Sequence, residues 1–393
     1  MVMNWSFWEK DTWWENLDVL IVGAGITGLS TAISLKEAKP RLRIAVVDRN
    51  TWTGGASTRN AGFACFGSPT ELLANEKQMG RDAMLQLVER RYQGLLLLRT
   101  RIGDAALRFA PCGGHEIFLA GDEPAYQECL GALDGLNQGL KDILPYSPAF
   151  FPSKPGLGWA WGDAKLISAP AEGRIHPGRM VEALATMATS KGVLVATGVK
   201  VSRWWDADDH VKVVIGEGNE VSVGQLILTT NGFTPELFPQ LPVKPGRNQV
   251  LITTPIGGLT WDGCFHYQQG YGYLRRVGDR VLIGGFRHLD RERESTGVLG
   301  ENEDLINHMK AWLSENILPA RGWEVEMTWS GILGLGDTPA PLLGHVSNRV
   351  IAAVRLGGMG VALGSLLGQG AAMLALEKEL LFPDWYFGAS SLL

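Results

Sequence analysis

The stretch that decides the fold runs from Asp18 to Ser30 and reads DVLIVGAGITGLS. A short apolar run ends in three glycines spaced G-x-G-x-x-G, at Gly23, Gly25 and Gly28, and a helical pattern follows. In such a turn the first glycine permits the tight bend, the second lets a pyrophosphate approach the backbone, and the third lets the helix lie close to the sheet. The free N–H groups at the helix start favour a phosphate. The stretch therefore predicts a βαβ unit that binds a dinucleotide.

A second apolar strand supports this interpretation. It reads AVVDR and ends on Asp48 and Arg49. An acid about twenty residues after the glycines can accept hydrogen bonds from a ribose. The alternative is a glycine-rich turn in a sheet that binds nothing, but the strand, the helix and the acid together favour the dinucleotide.

The composition limits the class of protein. A chain of 393 residues suits about two domains, and 45% apolar with 20% charged residues predicts a globular chain. The net charge of −5 without a basic block argues against nucleic acid as a partner. The four cysteines form no C-x-x-C pair, which predicts neither a metal site nor a disulfide framework and is typical of a reducing, cytoplasmic compartment.

Two apolar segments need an interpretation. The first fourteen residues carry charges where a signal peptide needs a continuous apolar run, and we expect their tryptophans (Trp5, Trp8, Trp13 and Trp14) to pack onto the core. Residues 354–376 are long and apolar enough to span a bilayer but carry an arginine and several glycines. We therefore predict a glycine-rich loop leading into a buried helix, and no transmembrane segment.

The remaining patterns predict the organisation of the chain. Residues 70–106 are helical, and residues 192–205 alternate as one strand. Short strands over 249–254, 264–268, 271–276 and 280–286 indicate an antiparallel sheet in a second domain. Residues 327–332 and 350–354 are expected to return to the first domain.

Two further glycine clusters decide which dinucleotide is bound. GGASTRNAGF, residues 54–63, follows the acidic strand, and RLGGMGVALGS, residues 355–365, precedes a helix near the C-terminus. A nicotinamide cofactor does not need glycine-rich contacts at both ends of a chain, whereas an FAD held across two lobes does. The clusters therefore predict FAD.

Together these motifs resemble the D-amino-acid-oxidase-like flavoprotein family, which includes glycine, sarcosine and γ-glutamylputrescine oxidases. The resemblance extends in order through IHP at 175–177, TNG at 230–232 and WSG at 329–331, and is strongest to the γ-glutamylputrescine branch. It implies an α/β fold with a Rossmann-like FAD-binding domain of the glutathione-reductase type and a second α+β substrate domain built on an antiparallel sheet. The expected boundaries are 1–93, 170–241 and 325–393 for the FAD-binding domain, and 94–169 and 242–324 for the substrate domain.

The resemblance also implies the activity. We expect an FAD-dependent oxidase or dehydrogenase that acts on a CH–NH group, with hydride transfer to flavin N5 and hydrolysis of the imine. Its partners would be a small amine or amino-acid substrate and oxygen or another electron acceptor. Two alternatives stay open: a flavin-dependent monooxygenase, and a non-catalytic flavin-binding assembly protein.

The expected cofactor contacts come from the glycine clusters and from strand ends that face them in the family. They are Gly23, Gly25, Ile26, Thr27, Gly28, Asp48, Arg49, Ala56, Ser57, Thr58, Asn60, Ala61, Gly62, Phe63, Val199, Asn231, Gly232, Gly331, Gly357, Gly358, Met359, Gly360, Val361 and Ala362.

Five residues are candidates for the substrate side. Tyr271 and Tyr273 lie at i and i+2 on one face of the antiparallel sheet, and Arg275 shares that face. Arg287 and His288 follow a strand end near which related oxidases place a polar substrate-binding residue. The alternatives are a mixed aromatic sheet surface and solvated strand-end residues.

Two usual carboxylate anchors of the family are missing. Amino-acid oxidases often carry an arginine just after the Trp-x-Gly strand, where this chain has Leu333, and sarcosine oxidases carry a lysine in the C-terminal loop, where it has Ala362. A simple α-amino acid is therefore less favoured than a larger amine or an amino acid held differently.

We predict that the FAD is not covalently attached. The family's usual linkers are a histidine in the early glycine segment, where this chain has Arg59 and Asn60, and a late cysteine, whereas none follows Cys264. The purified protein should be yellow, and acid precipitation should release the flavin into the supernatant. A yellow pellet under a clear supernatant would contradict non-covalent binding, and a colourless protein that FAD cannot reconstitute would contradict the flavoprotein assignment.

Overall fold

Two large sheets organise the computed structural model, which describes residues 5–53, 55–155, 164–318, 322–380 and 382–387. The first sheet has a parallel centre, and its strands lie in the order Val350–Val354, Asn219–Leu228, Leu17–Val22, Ile44–Asp48 and Leu194–Thr197. Leu342–Ser347 and Tyr386–Phe387 extend it at one edge, and Val201–Asp206 with Val211–Ile215 forms an antiparallel ribbon on Asn219–Leu228.

The second sheet is antiparallel except at one pair. Its eight strands lie in the order Val325–Leu335, Lys244–Thr253, Arg280–Gly285, Gly272–Val277, Cys264–Tyr267, Gly114–Phe118, Lys165–Ala169 and Phe151–Ser153. Cys264–Tyr267 and Gly114–Phe118 are the parallel pair. A small separate ribbon joins Phe63–Ala64 to Gly173–Arg174. The predicted two-part architecture, a parallel dinucleotide-type sheet and a largely antiparallel second sheet, is confirmed.

Helices cover the sheets and connect them. The α-helices are Phe7–Glu9, Ile26–Ala38, Ala56–Arg59, Pro69–Met79, Arg81–Ile102, Asp104–Leu107, Glu123–Leu140, Pro177–Ser190, Arg291–Glu294, Glu303–Asn316 and Gly360–Ala375, with a π-helical turn at Lys10–Trp14. Single 3₁₀ segments lie at Ala120–Asp122, Asn231–Glu236, Arg287–Asp290 and Pro383–Trp385. The parallel strands are apolar and buried, as expected for a sheet that helices and the β-ribbon cover.

The predicted helical character of residues 70–106 is confirmed, but the segment forms three helices, divided at Gly80 and Gly103, whose φ angles of 84° and 83° suit glycine and end each helix. Two other predictions of local structure were wrong. The predicted strand over 192–205 is two strands with a turn between them. The strand Val325–Leu335 pairs with Lys244–Thr253 and so belongs to the second sheet, not the first. The helix Arg81–Ile102 also runs across the expected boundary at residue 93, so the domain limits stay a prediction.

The predictions for the two apolar segments, at the N-terminus and at residues 354–376, have different outcomes. Residues 355–359 form a loop before the largely buried helix Gly360–Ala375, as predicted, and none of the described helices is both long and apolar enough to cross a membrane. In the N-terminal segment Trp14 is buried and stacks on Trp5 with ring centroids 5.2 Å apart. Trp8 and Trp13 are 73% and 46% exposed, so only part of the expected packing is confirmed.

Two glycines within helices allow a matched test of the packing. A Cβ on Gly94, in Arg81–Ile102, would lie 2.0 Å from the Ala362 carbonyl oxygen, whereas one on the exposed Gly131, in Glu123–Leu140, would meet nothing within 4 Å. Gly94→Ala should lower the free energy of unfolding by about 1–3 kcal/mol through overpacking. Gly131→Ala should raise it by about 0.8 kcal/mol through helix propensity. The measurement is denaturant unfolding of both variants. If their free energies of unfolding changed in the same direction, the close helix contact at Gly94 would be contradicted.

Candidate functional site

A cleft lies at the carboxyl ends of the parallel strands, where ligands bind in open α/β sheets. It contains about 1160 Å³ of space free of protein atoms, and we call it the dinucleotide cleft. Its lining includes most of the residues expected on the cofactor, namely Gly23, Gly25, Ile26, Thr27, Asp48, Arg49, Ala56, Ser57, Asn60, Val199, Asn231, Gly357, Gly358, Gly360 and Val361. Nine expected residues do not line it; six of them line an adjoining cavity described below, and three, Gly28, Thr58 and Gly232, line neither space.

The first glycine loop has the geometry that the sequence predicts. Gly23 has a φ of 111°, and the helix Ile26–Ala38 begins one residue after Gly25. A Cβ on Gly28 would lie 1.9 Å from the Gly23 carbonyl oxygen, so Gly28 permits the helix to contact the strand end. The hydroxyl of Thr27 is buried at the helix start and has no hydrogen-bond partner within the described part of the chain. This loop therefore offers a helix N-terminus and an unused hydroxyl to the cleft.

The acidic strand end is held by hydrogen bonds. Asp48 Oδ2 accepts from the Ala24 N–H at 3.0 Å, and Oδ1 accepts from the Asn50 N–H at 2.9 Å. Arg49 forms an ion pair with Glu236 at 2.9 Å and lies over the Phe233 ring at 4.0 Å. The structure thus places the Asp48 carboxylate on the cleft wall and directs the Arg49 charge towards Glu236.

The second glycine segment supplies a rigid turn beside the first. The side-chain amide of Asn60 donates to the Ala56 carbonyl at 3.0 Å, and its oxygen accepts from the Gly62 N–H at 2.8 Å. The Ser57 hydroxyl accepts from the Ile26 N–H at 3.0 Å, which ties the two segments together. Thr58 instead donates its hydroxyl to the Thr53 carbonyl, so it supports the turn from outside the cleft. Gly54, also predicted in this cluster, lies outside the described residues.

The C-terminal glycine loop closes the cleft from the other side. A Cβ on Gly357 or Gly358 would meet no atom within 4 Å, so both positions leave open space. Asn231, with a φ of 47°, accepts the backbone N–H groups of Arg355 and Leu356, each at 3.1 Å. Gly232 is tightly packed, since its Cβ would lie 2.4 Å from the Leu333 carbonyl oxygen. Asn231 thus positions the loop as well as lining the cleft.

A second cavity adjoins the dinucleotide cleft, and we call it the substrate cavity. The two share the lining residues Ala56, Asn60, Leu333, Leu356, Gly357, Gly358 and Val361, so they form one continuous space. The remaining expected cofactor residues line only the substrate cavity; these are Ala61, Gly62, Phe63, Gly331, Met359 and Ala362.

Three of the five substrate-side candidates line this cavity, namely Tyr271, Tyr273 and Arg287. The Tyr273 hydroxyl accepts from Asn248 Nδ2 at 3.1 Å, and burial raises the pKa of this phenol, so it stays protonated. The other two candidates lie outside the lining. Arg275 is buried and donates to the Ile175 carbonyl at 3.1 Å, and His288 packs behind Tyr271 with ring centroids 4.7 Å apart.

Arg287 differs from Arg59 and Arg91 of this cavity because its guanidinium has no direct partner among the described residues. Burial and the like charge of Arg291 lower the pKa of Arg287, while the Tyr271 phenol and the Glu294 carboxylate act in the opposite direction. Among the described residues no hydrogen bond or ion pair engages its guanidinium, which lies 5.9 Å from the Tyr271 ring centroid. Arg91, by contrast, pairs with Glu71 at 2.8 Å, and Arg59 donates to the Ser330 carbonyl at 3.0 Å. An anionic group of a ligand would find its free partner at Arg287.

Sequence reasoning missed a buried charged cluster in the wall of the substrate cavity, which Cys65 and His266 line. His266 Nε2 lies 3.3 Å from Glu172 Oε2, and both lie with Cys65 in a group whose possible metal-ligand atoms are within 4.8 Å of one another. Burial alone would lower the pKa of His266, but the hydrogen bond and charge of Glu172, with the charges of Glu116 and Glu71, raise it. These residues are far apart in the chain, and no spacing in the sequence signals the cluster.

The cleft fits an extended dinucleotide. The glycines at 357 and 358 leave space that side chains would fill, the Thr27 hydroxyl is unused, and a helix N-terminus faces the same cleft. A continuous path leads from there to the aromatic wall of the substrate cavity. The two-ended arrangement that the glycine clusters predict is therefore present in three dimensions.

Comparison with known proteins agrees with this architecture. The chain is 25% identical over 352 residues to the bifunctional protein ThiO/ThiG of Synechocystis sp., an alignment that covers 84% of this chain and 46% of that protein. A thiamine thiazole synthase of Sclerotinia sclerotiorum is 47% identical over 51 residues, which are 13% of this chain and 15% of the relative. The chain thus spans less than half the length of these curated relatives.

Solved structures share the fold at low sequence identity. Glycine oxidase from Geobacillus kaustophilus superposes with a TM-score of 0.73 at 19% identity, covering 94% of this chain and 97% of that one. Iminodiacetate oxidase from Chelativorans sp. BNC1 superposes with a TM-score of 0.72 at 20% identity, covering 94% of this chain and 99% of that one. The profile of the FAD-dependent oxidoreductases of the DAO type matches residues 18–374, nearly the whole chain. By that match, the chain is a member of the DAO family of FAD-dependent oxidoreductases.

Proposed function

We propose that this protein oxidises a C–N bond of an amine or amino-acid-derived substrate with non-covalent FAD. The observation that carries the proposal is the continuity between the dinucleotide cleft and the substrate cavity. When bound, FAD supplies the two-electron acceptor for the hydride that leaves the carbon beside nitrogen. Oxygen or another acceptor would then reoxidise it. The cytoplasmic location that the cysteine pattern predicts stays a prediction.

The FAD would be held by the three glycine segments. Gly25, Thr27 and the start of the helix Ile26–Ala38 would receive the pyrophosphate, because N–H groups and the helix dipole stabilise negative charge there. Asp48 would accept from the ribose hydroxyls, and the open positions Gly357 and Gly358 would lie against the cofactor. Gly28 and Gly232 serve this site through packing, since a Cβ at either would collide with backbone atoms.

Gly25 and Gly28 make a matched pair of variants. A Cβ on Gly25 would meet only the Ser57 hydroxyl, at 2.8 Å, whereas a Cβ on Gly28 would meet the backbone at 1.9 Å. Gly25→Val should therefore leave a folded protein that has lost its flavin, and Gly28→Ala should destabilise the apoprotein itself by about 1–3 kcal/mol. The measurements are the ratio of flavin to protein absorbance and the thermal midpoint of the apoprotein. Full flavin content in a folded Gly25→Val protein would contradict the phosphate assignment.

The substrate cavity favours an amine substrate with a separate anionic group. Its aromatic wall of Phe63, Tyr271 and Tyr273 desolvates a bound amine, which favours the neutral, reactive form. Leu333 and Ala362, which replace the usual anchors, line the cavity as apolar residues. Burying an unpaired carboxylate beside these two residues would cost about 2–7 kcal/mol of binding free energy. Arg287, which has no direct partner among the described residues, is the cation best placed to hold a carboxylate instead.

The proposed role of Arg287 as a carboxylate anchor can be tested with a matched pair of substrates, an α-amino acid and its decarboxylated amine. If Arg287 holds the carboxylate, the amino acid should reduce the flavin faster in wild type, and Arg287→Ala should remove about 1.5–3 kcal/mol of that preference. The measurement is the anaerobic rate of flavin bleaching. Arg291→Ala is the control, because Arg291 is exposed, donates to the Tyr271 hydroxyl at 3.3 Å and does not line the cavity.

Other outcomes separate the hypotheses. Faster reduction by the amine in both proteins would indicate a pocket that does not recognise a carboxylate beside the reacting carbon. An equal loss of the preference for the amino acid in Arg287→Ala and Arg291→Ala would show a general charge effect. It would contradict the role of Arg287 as the carboxylate anchor. Bleaching by NADPH without an amine would favour the monooxygenase alternative, and a bound flavin that no amine reduces would favour a non-catalytic protein.

A further inference from the structure

Two cysteines lie side by side where two inner strands of the second sheet begin, and neither of them lines either cavity. Cys264 begins the strand Cys264–Tyr267, which lies parallel to Gly114–Phe118 with Gly114 opposite Cys264. The Cys264 N–H donates to the Gly113 carbonyl at 3.0 Å, which brings the preceding Cys112 alongside. The Cys264 thiol donates to the Gly173 carbonyl at 3.2 Å, and Arg174, the next residue, bridges to Ala110, two residues before Cys112. The parallel pairing therefore joins two thiols from distant parts of the chain.

The surroundings of Cys112 stabilise its thiolate. Two neighbours act on the Cys112 thiol: the Cys264 thiol and Arg174, which is itself paired with Asp262. The Cys264 thiol, aided by the charge of Arg174 and opposed by burial and by the charge of Asp262, lowers the pKa of Cys112 to about 7. The other ionisable groups beside the pair are His115 and Arg275.

The four cysteines differ in accessibility and in acidity. Cys112 is partly exposed, whereas Cys65, Cys129 and Cys264 are buried. Burial raises the pKa of Cys129 to about 12 and also raises the pKa values of Cys65 and Cys264. A partly exposed thiol with a lowered pKa, set beside a second thiol by the strand pairing, is the arrangement of a redox-reactive pair, in which the second cysteine resolves the first.

We propose that Cys112 and Cys264 form a peroxide-reactive dithiol site, with Cys112 as the attacking thiol, Arg174 as its cationic partner and Cys264 as the resolving thiol. The Cys112 sulfur attacks one oxygen of hydrogen peroxide; the O–O bond breaks, a sulfenic acid forms, and the second oxygen leaves as water with the thiol proton. The Cys264 sulfur then attacks the Cys112 sulfur, the S–O bond breaks, and a second water leaves with the Cys264 proton. Two thiols and one peroxide give one disulfide and two waters, so the thiols are oxidised by two electrons and the peroxide is reduced.

This site does not depend on the proposed activity, because the peroxide can come from any source. The local geometry explains why the reaction stops at the disulfide. The strand pairing already holds Cys264 beside Cys112, so it can capture the sulfenic acid before a second peroxide does. The disulfide would be opened again by a thiol reductant.

The test uses the purified holoprotein, treated with hydrogen peroxide and analysed by mass spectrometry under non-reducing conditions. Wild type should lose about 2 Da, the mass of two hydrogens, through a Cys112–Cys264 disulfide that dithiothreitol reverses. Cys264→Ser should accumulate a sulfenic acid at Cys112 that dimedone traps, and Cys112→Ser should form neither product. The flavin absorbance and circular dichroism of each variant establish that it is folded.

Cys65 and Cys129 are internal controls in the same sample and should stay reduced. Alkylation of Cys112 by iodoacetamide in wild type should rise with pH through about 7, the pKa of this thiol, since only the thiolate reacts. The proposal is overturned if no disulfide forms, if Cys112 goes directly to the sulfinic acid in wild type, or if Cys65 or Cys129 reacts as fast as Cys112. An alkylation midpoint at the ordinary thiol value, about 8.5, would overturn the role of Arg174 and Cys264.

Discussion

The contact between the first and the last long helices is the constraint on which the site depends. A Cβ on Gly368 would lie 2.6 Å from the Thr27 carbonyl oxygen, and a Cβ on Gly364 would lie 2.8 Å from Ile26 Cγ2. Because glycine has no side chain at these positions, the helices Ile26–Ala38 and Gly360–Ala375 approach almost backbone to backbone. Their N-terminal ends therefore face one cleft, and glycine loops from opposite ends of the chain lie on its walls.

A second set of contacts fastens the two sheets to each other at that cleft. Arg59 donates to the Ser330 carbonyl at 3.0 Å, and Trp329 Nε1 donates to the Arg59 carbonyl at 2.9 Å. These bonds join the second glycine segment to the strand Val325–Leu335, whose residue Leu333 lines both cavities. The aromatic wall of the second sheet is thereby held against the open end of the dinucleotide cleft, which is what makes one continuous space.

The features that the sequence predicted well are those in which neighbouring residues carry the signal. The glycine spacing, the acid at Asp48 and the apolar strands are local patterns, and each has a local physical reason. The membership of Val325–Leu335 was predicted wrongly because an alternating apolar strand can pair in either sheet, and only the partner Lys244–Thr253 decides. The breaks at Gly80 and Gly103 were missed because a glycine within a helical pattern is tolerated in many helices.

By itself the sequence determined the class of fold, the dinucleotide-binding unit and the two ends from which the cofactor would be contacted. Only the tertiary structure decided which charged residues are available. Arg275 and Arg287 were both substrate-side candidates in the sequence, yet the Ile175 carbonyl engages one, and the other lines the substrate cavity without a direct partner among the described residues. Likewise, His266 meets Glu172 only in the folded chain, and strand pairing sets Cys112 beside Cys264. The physical reason is that hydrogen-bond partners, burial and charge compensation depend on residues distant in the chain, whose positions follow from sheet register and helix packing.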